Sequence, residues 1–191
     1  TFGCFNNLSK VSDEVLAVWS RILNQLPQAK LFLKSKQLAD PSIASRLTQR
    51  LGELGIRAER LILEGPSPRA EYLSAYNRVD VALDPFPYPG GTTTAEALWM
   101  GVPFITRKGS TLLSRQGEAI AHVIGESWWI AHNDCEYVEL AVRLASDQKL
   151  LMEKKKTLRP QVLRSPLFDA KRFSRNFEAA MWAIWSELQN L

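Results

Sequence analysis

Residues 90–94 read Gly-Gly-Thr-Thr-Thr, where a short apolar run gives way to a helical pattern. Two glycines let a backbone approach a ligand closely. Gly91 stands directly before three hydroxyls, Thr92, Thr93 and Thr94. With the unpaired amides of a helix start, those hydroxyls can cradle a phosphate or diphosphate, and the helix dipole adds favourable potential there. The same residues also suit a glycine loop with a Thr cap that holds no ligand. Neither the P-loop pattern nor GxGxxG is present. Glu96, in the first turns of that helix, can accept hydrogen bonds from ribose hydroxyls or merely complement the dipole. Lys10 closes the polar loop Asn6-Asn7-Leu8-Ser9-Lys10 after another apolar run. Its ammonium can neutralise a diphosphate leaving group whose charge grows as a bond breaks, or it can be an ordinary surface lysine. Arg69 and Tyr72 open a further helix after a third apolar run. Arg can contact ribose or phosphate, and Tyr can stack on a base.

Other chemistries fit poorly. His122, His132, Cys4 and Cys135 are the only residues of their types and are scattered, so no four-ligand His/Cys metal site is expected. Neither histidine sits near a nucleophile-elbow pattern, and no glycosidase-type pair of carboxylates can be picked out. Two cysteines without CxxC spacing read as buried thiols in a reducing compartment. The 191 residues carry a net charge of +4 and 46% hydrophobic residues, values of an ordinary soluble globular protein. A charge of +4 over this length gives no case for nucleic acid, and Lys154-Lys155-Lys156 reads as a solvated helix face. No apolar run is long enough to span a bilayer, so no membrane role and a cytoplasmic location are expected. The start, Thr1-Phe2-Gly3-Cys4-Phe5, resembles neither a signal peptide nor a chain beginning, but the middle of a strand. The chain is therefore expected to be the C-terminal part of something longer.

The elements that must position these residues alternate. Strands are expected over 3–5, 30–34, 61–63, 79–83, 103–106 and 127–130. Ser12 caps a helix whose apolar face is Val15, Val18, Ile22 and Leu26. Further helices follow Asp40-Pro41 and cover 70–77, the stretch after Gly91, and 113–122. From residue 135 the chain is nearly all helix, over 135–146, 148–163 and 170–189. Strands separated by helices imply parallel βαβ units, hence an α/β fold with a Rossmann-like doubly wound parallel sheet and C-terminal helices. Such sheets bind ligands beyond the carboxyl ends of their strands, where Lys10, Arg69 and the glycine loop all fall. Phe173, Phe177, Met181, Trp182, Ile184, Trp185 and Leu188 form a stripe on the last helix that reads as core or interface packing.

Phe5-Asn6-Asn7-Leu8-Ser9-Lys10-Val11, the block from Asp84-Pro85-Phe86-Pro87-Tyr88-Pro89 through Gly90-Gly91-Thr92-Thr93-Thr94-Ala95-Glu96 to Gly101-Val102-Pro103, and Arg164-Ser165-Pro166-Leu167-Phe168 resemble the protein O-GlcNAc transferase and SPINDLY family. The likeness runs over essentially the whole chain. It implies the C-terminal, donor-binding half of a GT-B glycosyltransferase, with an N-terminal half and tetratricopeptide repeats expected upstream to supply a protein acceptor. Residues 1–165 would form the nucleotide-sugar-binding domain, and 166–191 a helix returning to that other half. By resemblance, Lys10 contacts the donor diphosphate and supports its departure, and Asn7 lies near it. Thr92 and Thr93 hold the phosphates, Glu96 binds ribose, Arg69 and Tyr72 stand where the animal enzymes have Lys and His, and Ser67 turns its backbone to the base. Gly91 replaces a His of the animal enzymes, which brings the wording closer to SPINDLY and bacterial relatives.

The resemblance thus implies transfer of a sugar to Ser/Thr hydroxyls of proteins, GlcNAc from UDP-GlcNAc being the first choice. No metal or other cofactor is expected, and this fragment alone should be inactive. GDP-fucose as donor, a non-catalytic nucleotide-sugar-binding or scaffold module, and a transferase acting on polysaccharide or Asn are the alternatives.

Overall fold

A computed structural model describes residues 1–189. Six parallel strands form one sheet: β1 (Phe2–Cys4), β2 (Leu31–Lys34), β3 (Leu61–Glu64), β4 (Val81–Leu83), β5 (Phe104–Arg107) and β6 (Ile130–Ala131). Their order is β3-β2-β1-β4-β5-β6. The chain therefore walks outward from β1 in one direction, then restarts at β4 and walks in the other. That reversal makes a crevice between the carboxyl ends of β1 and β4, the switch point at which sheets of this topology bind ligands.

Each strand feeds a helix, namely α1 (Asp13–Gln25), α2 (Pro41–Glu53), α3 (Arg69–Ala75), α4 (Thr92–Trp99), α5 (Gln116–Val123) and α6 (Asp134–Ser146), and the chain continues into α7 (Gln148–Leu163) and α8 (Ala170–Gln189). The starts follow local chemistry. Ser12 accepts from the Val15 amide at 3.3 Å, and Asp40 caps α2 just before Pro41. Side chains alternate across the sheet, so that Leu31 and Leu33 join the larger apolar cluster while Phe32 joins a smaller one with Phe5, Tyr76 and Val102. Trp19, Phe104, Trp129 and Tyr137 fill the larger cluster, which binds α1 to α6 and both to the sheet.

Four expectations need correction. Residues 127–129 are not strand: they make a 3-10 turn, and only Ile130–Ala131 pair with β5. The Trp128 indole donates to Glu126 at 2.9 Å, and the Trp129 amide donates to the Glu126 carbonyl, which closes the turn. Cys135 is exposed, and only Cys4 is buried. The lysine run is not a free face, because Lys154 pairs with buried Glu126 at 2.6 Å and Lys155 with Asp80 at 2.5 Å. Finally, of the two readings given for the α8 stripe, core packing is excluded, because no described residue of α8 is buried within this chain, and the interface reading is the one that remains. The expected unit 166–191 begins with a turn at Pro166–Phe168 whose Phe168 ring meets Trp99, and its last two positions lie outside the described residues. Among the described residues no helix is long and apolar enough to cross a membrane.

Candidate functional site

The loop from β4 to α4 is pinned from below. Phe86 is buried between the Tyr137 ring, 5.5 Å away, and the Arg107 guanidinium, 4.1 Å away. Tyr137 donates its hydroxyl to the Asp84 carbonyl at 2.8 Å, so α6 holds the carboxyl end of β4 in place. Asp84 itself is buried and turns Oδ1 to the loop, accepting from the Gly90 amide at 3.2 Å and the Thr94 hydroxyl at 2.8 Å. A side chain at Gly90 has no room: its Cβ would lie 2.3 Å from Thr94 Oγ1 and 2.5 Å from Thr93 Oγ1. Here the glycine serves close approach.

Gly91 is the residue before α4, and no side chain caps the helix. The first amides of α4 therefore face the crevice without intrahelical partners, which is the arrangement that attracts an anion. Thr92 is exposed at this tip. Thr93 donates its hydroxyl to Asn6 Oδ1 at 2.9 Å. Thr94 departs from the expectation that all three hydroxyls line the anion, because two positions on from Thr92 the helix has turned its side chain inward to Asp84. Its work is to hold the loop.

Lys10 comes to the same place from the other side of the switch point. A short turn, Leu8–Lys10, follows β1, and Nζ of Lys10 donates to the Pro89 carbonyl at 3.0 Å and to Asn6 Oδ1 at 3.4 Å, with the Tyr88 ring 3.9 Å away. Asn6 thus accepts from Lys10 and Thr93 with one oxygen, joining the two halves of the predicted anion site. Partial burial lowers the Lys10 pKa, opposed by the nearby Asp84 charge. Burial raises Asp84 to about 7, against the Thr94 hydroxyl and the Gly90 amide. Cys4, directly beneath, is pushed up to about 12 by burial, which keeps it a thiol at neutral pH.

A second cluster ties α3 to α4. Glu96 accepts from Arg69 Nη1 at 2.5 Å and from the Tyr72 hydroxyl at 2.9 Å. Tyr72 leans on Phe5, 5.7 Å between centroids, and burial raises its pKa. Tyr76 donates to the Thr93 carbonyl at 3.1 Å and packs on Phe5 at 4.2 Å, which fixes the tip of α4 from a third side. Beside this cluster a cleft of about 290 Å³ opens over β1, β2 and β3, lined among others by Phe5, Asn7, Lys34, Gly65, Ser67 and Tyr72. Asn7 is exposed there and accepts from the Ser9 amide at 2.9 Å and from Gln37. The Ser67 hydroxyl is buried without a hydrogen-bond partner.

The structure therefore brings Lys10 and Thr93 together on Asn6, with Gly91 at the start of the same helix, turns Thr92 to a neighbouring cleft shared with Arg69 and Glu96, joins Tyr72 to Glu96, and sets Asn7 and Ser67 along the adjoining cleft. Sequence reasoning missed Asn6 and Asp84. The signal for Asp84 was a carboxylate at a strand end six residues before the glycine pair. For Asn6 there was none, since Asn6 and Asn7 are indistinguishable by type. Among the described residues, no group of three or more His, Cys, Asp or Glu could hold a metal ion.

The fold and this site define a class, a Rossmann-like domain with an uncapped helix start and a basic residue at its switch point. Residues 1–177 match glycosyl transferase family 41, and the chain belongs to that family. The probable UDP-N-acetylglucosamine–peptide N-acetylglucosaminyltransferase SPINDLY of Solanum lycopersicum is 39% identical over 186 residues, which is 97% of this chain and 20% of that protein. The probable enzyme of the same activity named SEC, from Arabidopsis thaliana, is 30% identical over 187 residues, 97% of this chain and 19% of that one. A mutant O-GlcNAc transferase of Thermobaculum terrenum superposes with a TM-score of 0.92 at 37% identity, covering 97% of this chain and 36% of the other. HepE of Anabaena, solved with UDP and glucose, shares the fold at TM-score 0.65 and 15% identity, over 95% of this chain and 48% of that one. The chain thus spans about a fifth of the length of the plant relatives it matches.

Proposed function

We propose that this chain is the donor-binding part of a glycosyltransferase that moves a sugar, GlcNAc from UDP-GlcNAc, to Ser/Thr hydroxyls of proteins. The observation that carries the reading is the meeting of Lys10 and Thr93 on Asn6 at the tip of α4, the place where a diphosphate would sit. The choice of UDP-GlcNAc and of a protein acceptor leans on the names of the SPINDLY relatives and the Thermobaculum enzyme.

The reaction would be an in-line displacement at the anomeric carbon. The acceptor oxygen forms the new bond as the bond to the diphosphate oxygen breaks, and the acceptor proton passes to a base outside this chain. Lys10 and the amides of α4 would stabilise the growing charge on the nucleoside diphosphate, placed in advance so that nothing need reorganise as the bond breaks. Loss of one such donor typically costs about 10²–10³ in rate. Arg69, Tyr72 and Glu96 would hold the nucleoside, and the cleft with Asn7 and Ser67 would receive the base.

The test is calorimetric titration of the chain with UDP-GlcNAc, alone and as Lys10→Ala. Saturable binding weakened by the substitution supports the reading, and binding unaffected by it removes Lys10 from the donor site. Appreciable transfer to a peptide by the chain alone would contradict its being only the donor part.

A further inference from the structure

Asp84 is a buried carboxylate lying directly under a site shaped for an anion, a combination that costs energy whenever both charges are present. Oδ1 is committed to the Gly90 amide and the Thr94 hydroxyl, so the carboxylate shapes the cradle. Oδ2 and Thr106 Oγ1 are both buried without a close hydrogen-bond partner, yet Thr106 lies near enough to hold the Asp84 carboxyl down somewhat, as Thr94 and the Gly90 amide do. Both atoms face Gly117 of α5, where an added Cβ would stand 2.8 Å from Oδ2 and 2.1 Å from Thr106 Oγ1. One oxygen therefore builds the loop while the other is free to take a proton.

The groups facing Asp84 are few. Lys10 approaches from the turn after β1, Cys4 from β1, Tyr137 from α6 through its bond to the Asp84 carbonyl, Thr106 from β5 and Thr94 from α4. The charged neighbours on α5 turn elsewhere: Glu118 pairs with Arg115 and Lys108, and His122 bonds Ser127. Lys10 supplies compensating positive charge from the anion side, for which a bound diphosphate would compete, while Arg107 of β5, packed on Phe86, is engaged by Asp134 and Glu14.

Resting on the donor-site reading, we propose that Asp84 is a positioning residue that couples donor binding to proton uptake, so that a diphosphate arriving at the tip of α4 draws one solvent proton onto Asp84 Oδ2. The hydrogen bonds to Oδ1 survive the change, and the new O–H points towards Thr106, whose oxygen gains a donor. Burial already brings the carboxyl to about 7, so the proton is available near neutrality. Two unit charges some ~8–10 Å apart at an effective dielectric of ~20 alter each other's binding by roughly twenty- to thirtyfold when both are fully present.

The experiment titrates the chain with UDP-GlcNAc, whose diphosphate has no group protonating near neutrality, in buffers of different ionisation enthalpy between about pH 6 and about pH 8.5. Wild type is expected to take up a proton, seen as buffer-dependent heat, and to bind about tenfold more weakly at the upper end. In Asp84→Asn the amide oxygen keeps the Gly90 and Thr94 bonds and the amide nitrogen faces Thr106, so the proton uptake centred near neutrality should vanish. Thr94→Ala, which removes a hydrogen bond to the carboxylate, should move the midpoint upward. Should Asp84→Asn fail to fold, the wild-type heats and the Thr94→Ala midpoint still decide. UDP-GlcNAc binding without buffer-dependent heat, or with the same uptake in Asp84→Asn, overturns the coupling and leaves the donor site standing. Absence of any binding across the range overturns both.

Discussion

Gly90→Ala is the sharpest structural perturbation of the site, because one methyl strikes two hydrogen-bonded hydroxyls at once. The added carbon would lie 2.3 Å from Thr94 Oγ1, 2.5 Å from Thr93 Oγ1 and 3.0 Å from Asp84 Oδ1. Neither threonine can rotate away freely, since Thr94 donates to Asp84 at 2.8 Å and Thr93 to Asn6 at 2.9 Å. Relief means breaking at least one bond, and the Thr94 bond goes to a buried carboxylate, where a hydrogen bond is worth about 1.5–3 kcal/mol. Losing both gives about 3 kcal/mol, or a Tm lowered by roughly 6–12 °C for a chain of this size. Thermal and urea denaturation measure it, with Gly91→Ala as a control whose Cβ would meet only Gln116 Oε1 at 3.3 Å. In a Thr94→Ala background the cost of Gly90→Ala should shrink by more than about 1 kcal/mol, a coupling that a double-mutant cycle reads directly. Gly90→Ala unfolding at the wild-type midpoint, or adding its full cost in that background, would refute the packing argument.

Other outcomes follow from the same geometry. Because the Asp84 carboxyl is raised from 3.8 to about 7, the native state holds its proton more tightly than the unfolded chain, so this group's contribution to stability falls as pH rises from about 4 to about 7. Asp84→Asn should match wild type near pH 4 and exceed it at pH 8, by at most on the order of 4 kcal/mol in denaturant titrations. Glu118 works in the opposite sense: Arg115 hydrogen bonding holds its carboxyl down at about 2, so its stabilisation is present above about pH 4.5 and lost as pH falls through about 2. Glu118→Gln should flatten that acid limb in the same titrations. Tyr72→Phe removes one of the bonds to Glu96 and should weaken UDP-GlcNAc binding by severalfold while changing stability by about 1 kcal/mol or less. Trp185→Ser on α8 should leave the unfolding free energy within about 0.5 kcal/mol, whereas Trp129→Ala in the core should cost about 3–5 kcal/mol.

Much of this was legible in the residues. Alternation of short apolar runs with capped helices is a local signal, so α1, α2, α4, α6, α7 and α8 fall where Ser12, Asp40-Pro41, Gly91 and the helical periodicities place them. Parallel pairing follows from the helix between each pair of strands, and the switch point from the resulting order. The segment 127–130 failed because Ser-Trp-Trp-Ile has strand-like composition, while the bonds that close it into a turn are local ones from Trp128 and Trp129 back to Glu126, which composition does not announce. The lysine run and the core alternative for the α8 stripe failed for a related reason. Periodicity tells which face a residue shares, but not what stands opposite, and here Glu126 and Asp80 stand opposite two lysines while none of the described residues buries a side chain of α8. At the site, residue type and motif order singled out Lys10, Thr93 and Glu96, which the structure places around the start of α4. They could not find Asn6, whose role comes from the meeting of two loops some eighty residues apart, or Asp84, whose bonds to Gly90 and Thr94 depend on how its own loop folds back.

The most direct measurement is titration of the chain with UDP-GlcNAc and GDP-fucose, repeated with Lys10→Ala and Thr93→Val. Saturable binding of UDP-GlcNAc that each substitution weakens by tenfold or more, about what removing one charge-assisted hydrogen bond costs, is the expected result. A preference for GDP-fucose would keep the site and change the donor. Binding of neither, or binding to which Lys10 and Thr93 are indifferent, would mean that the lysine and the helix tip do not meet over a diphosphate at all.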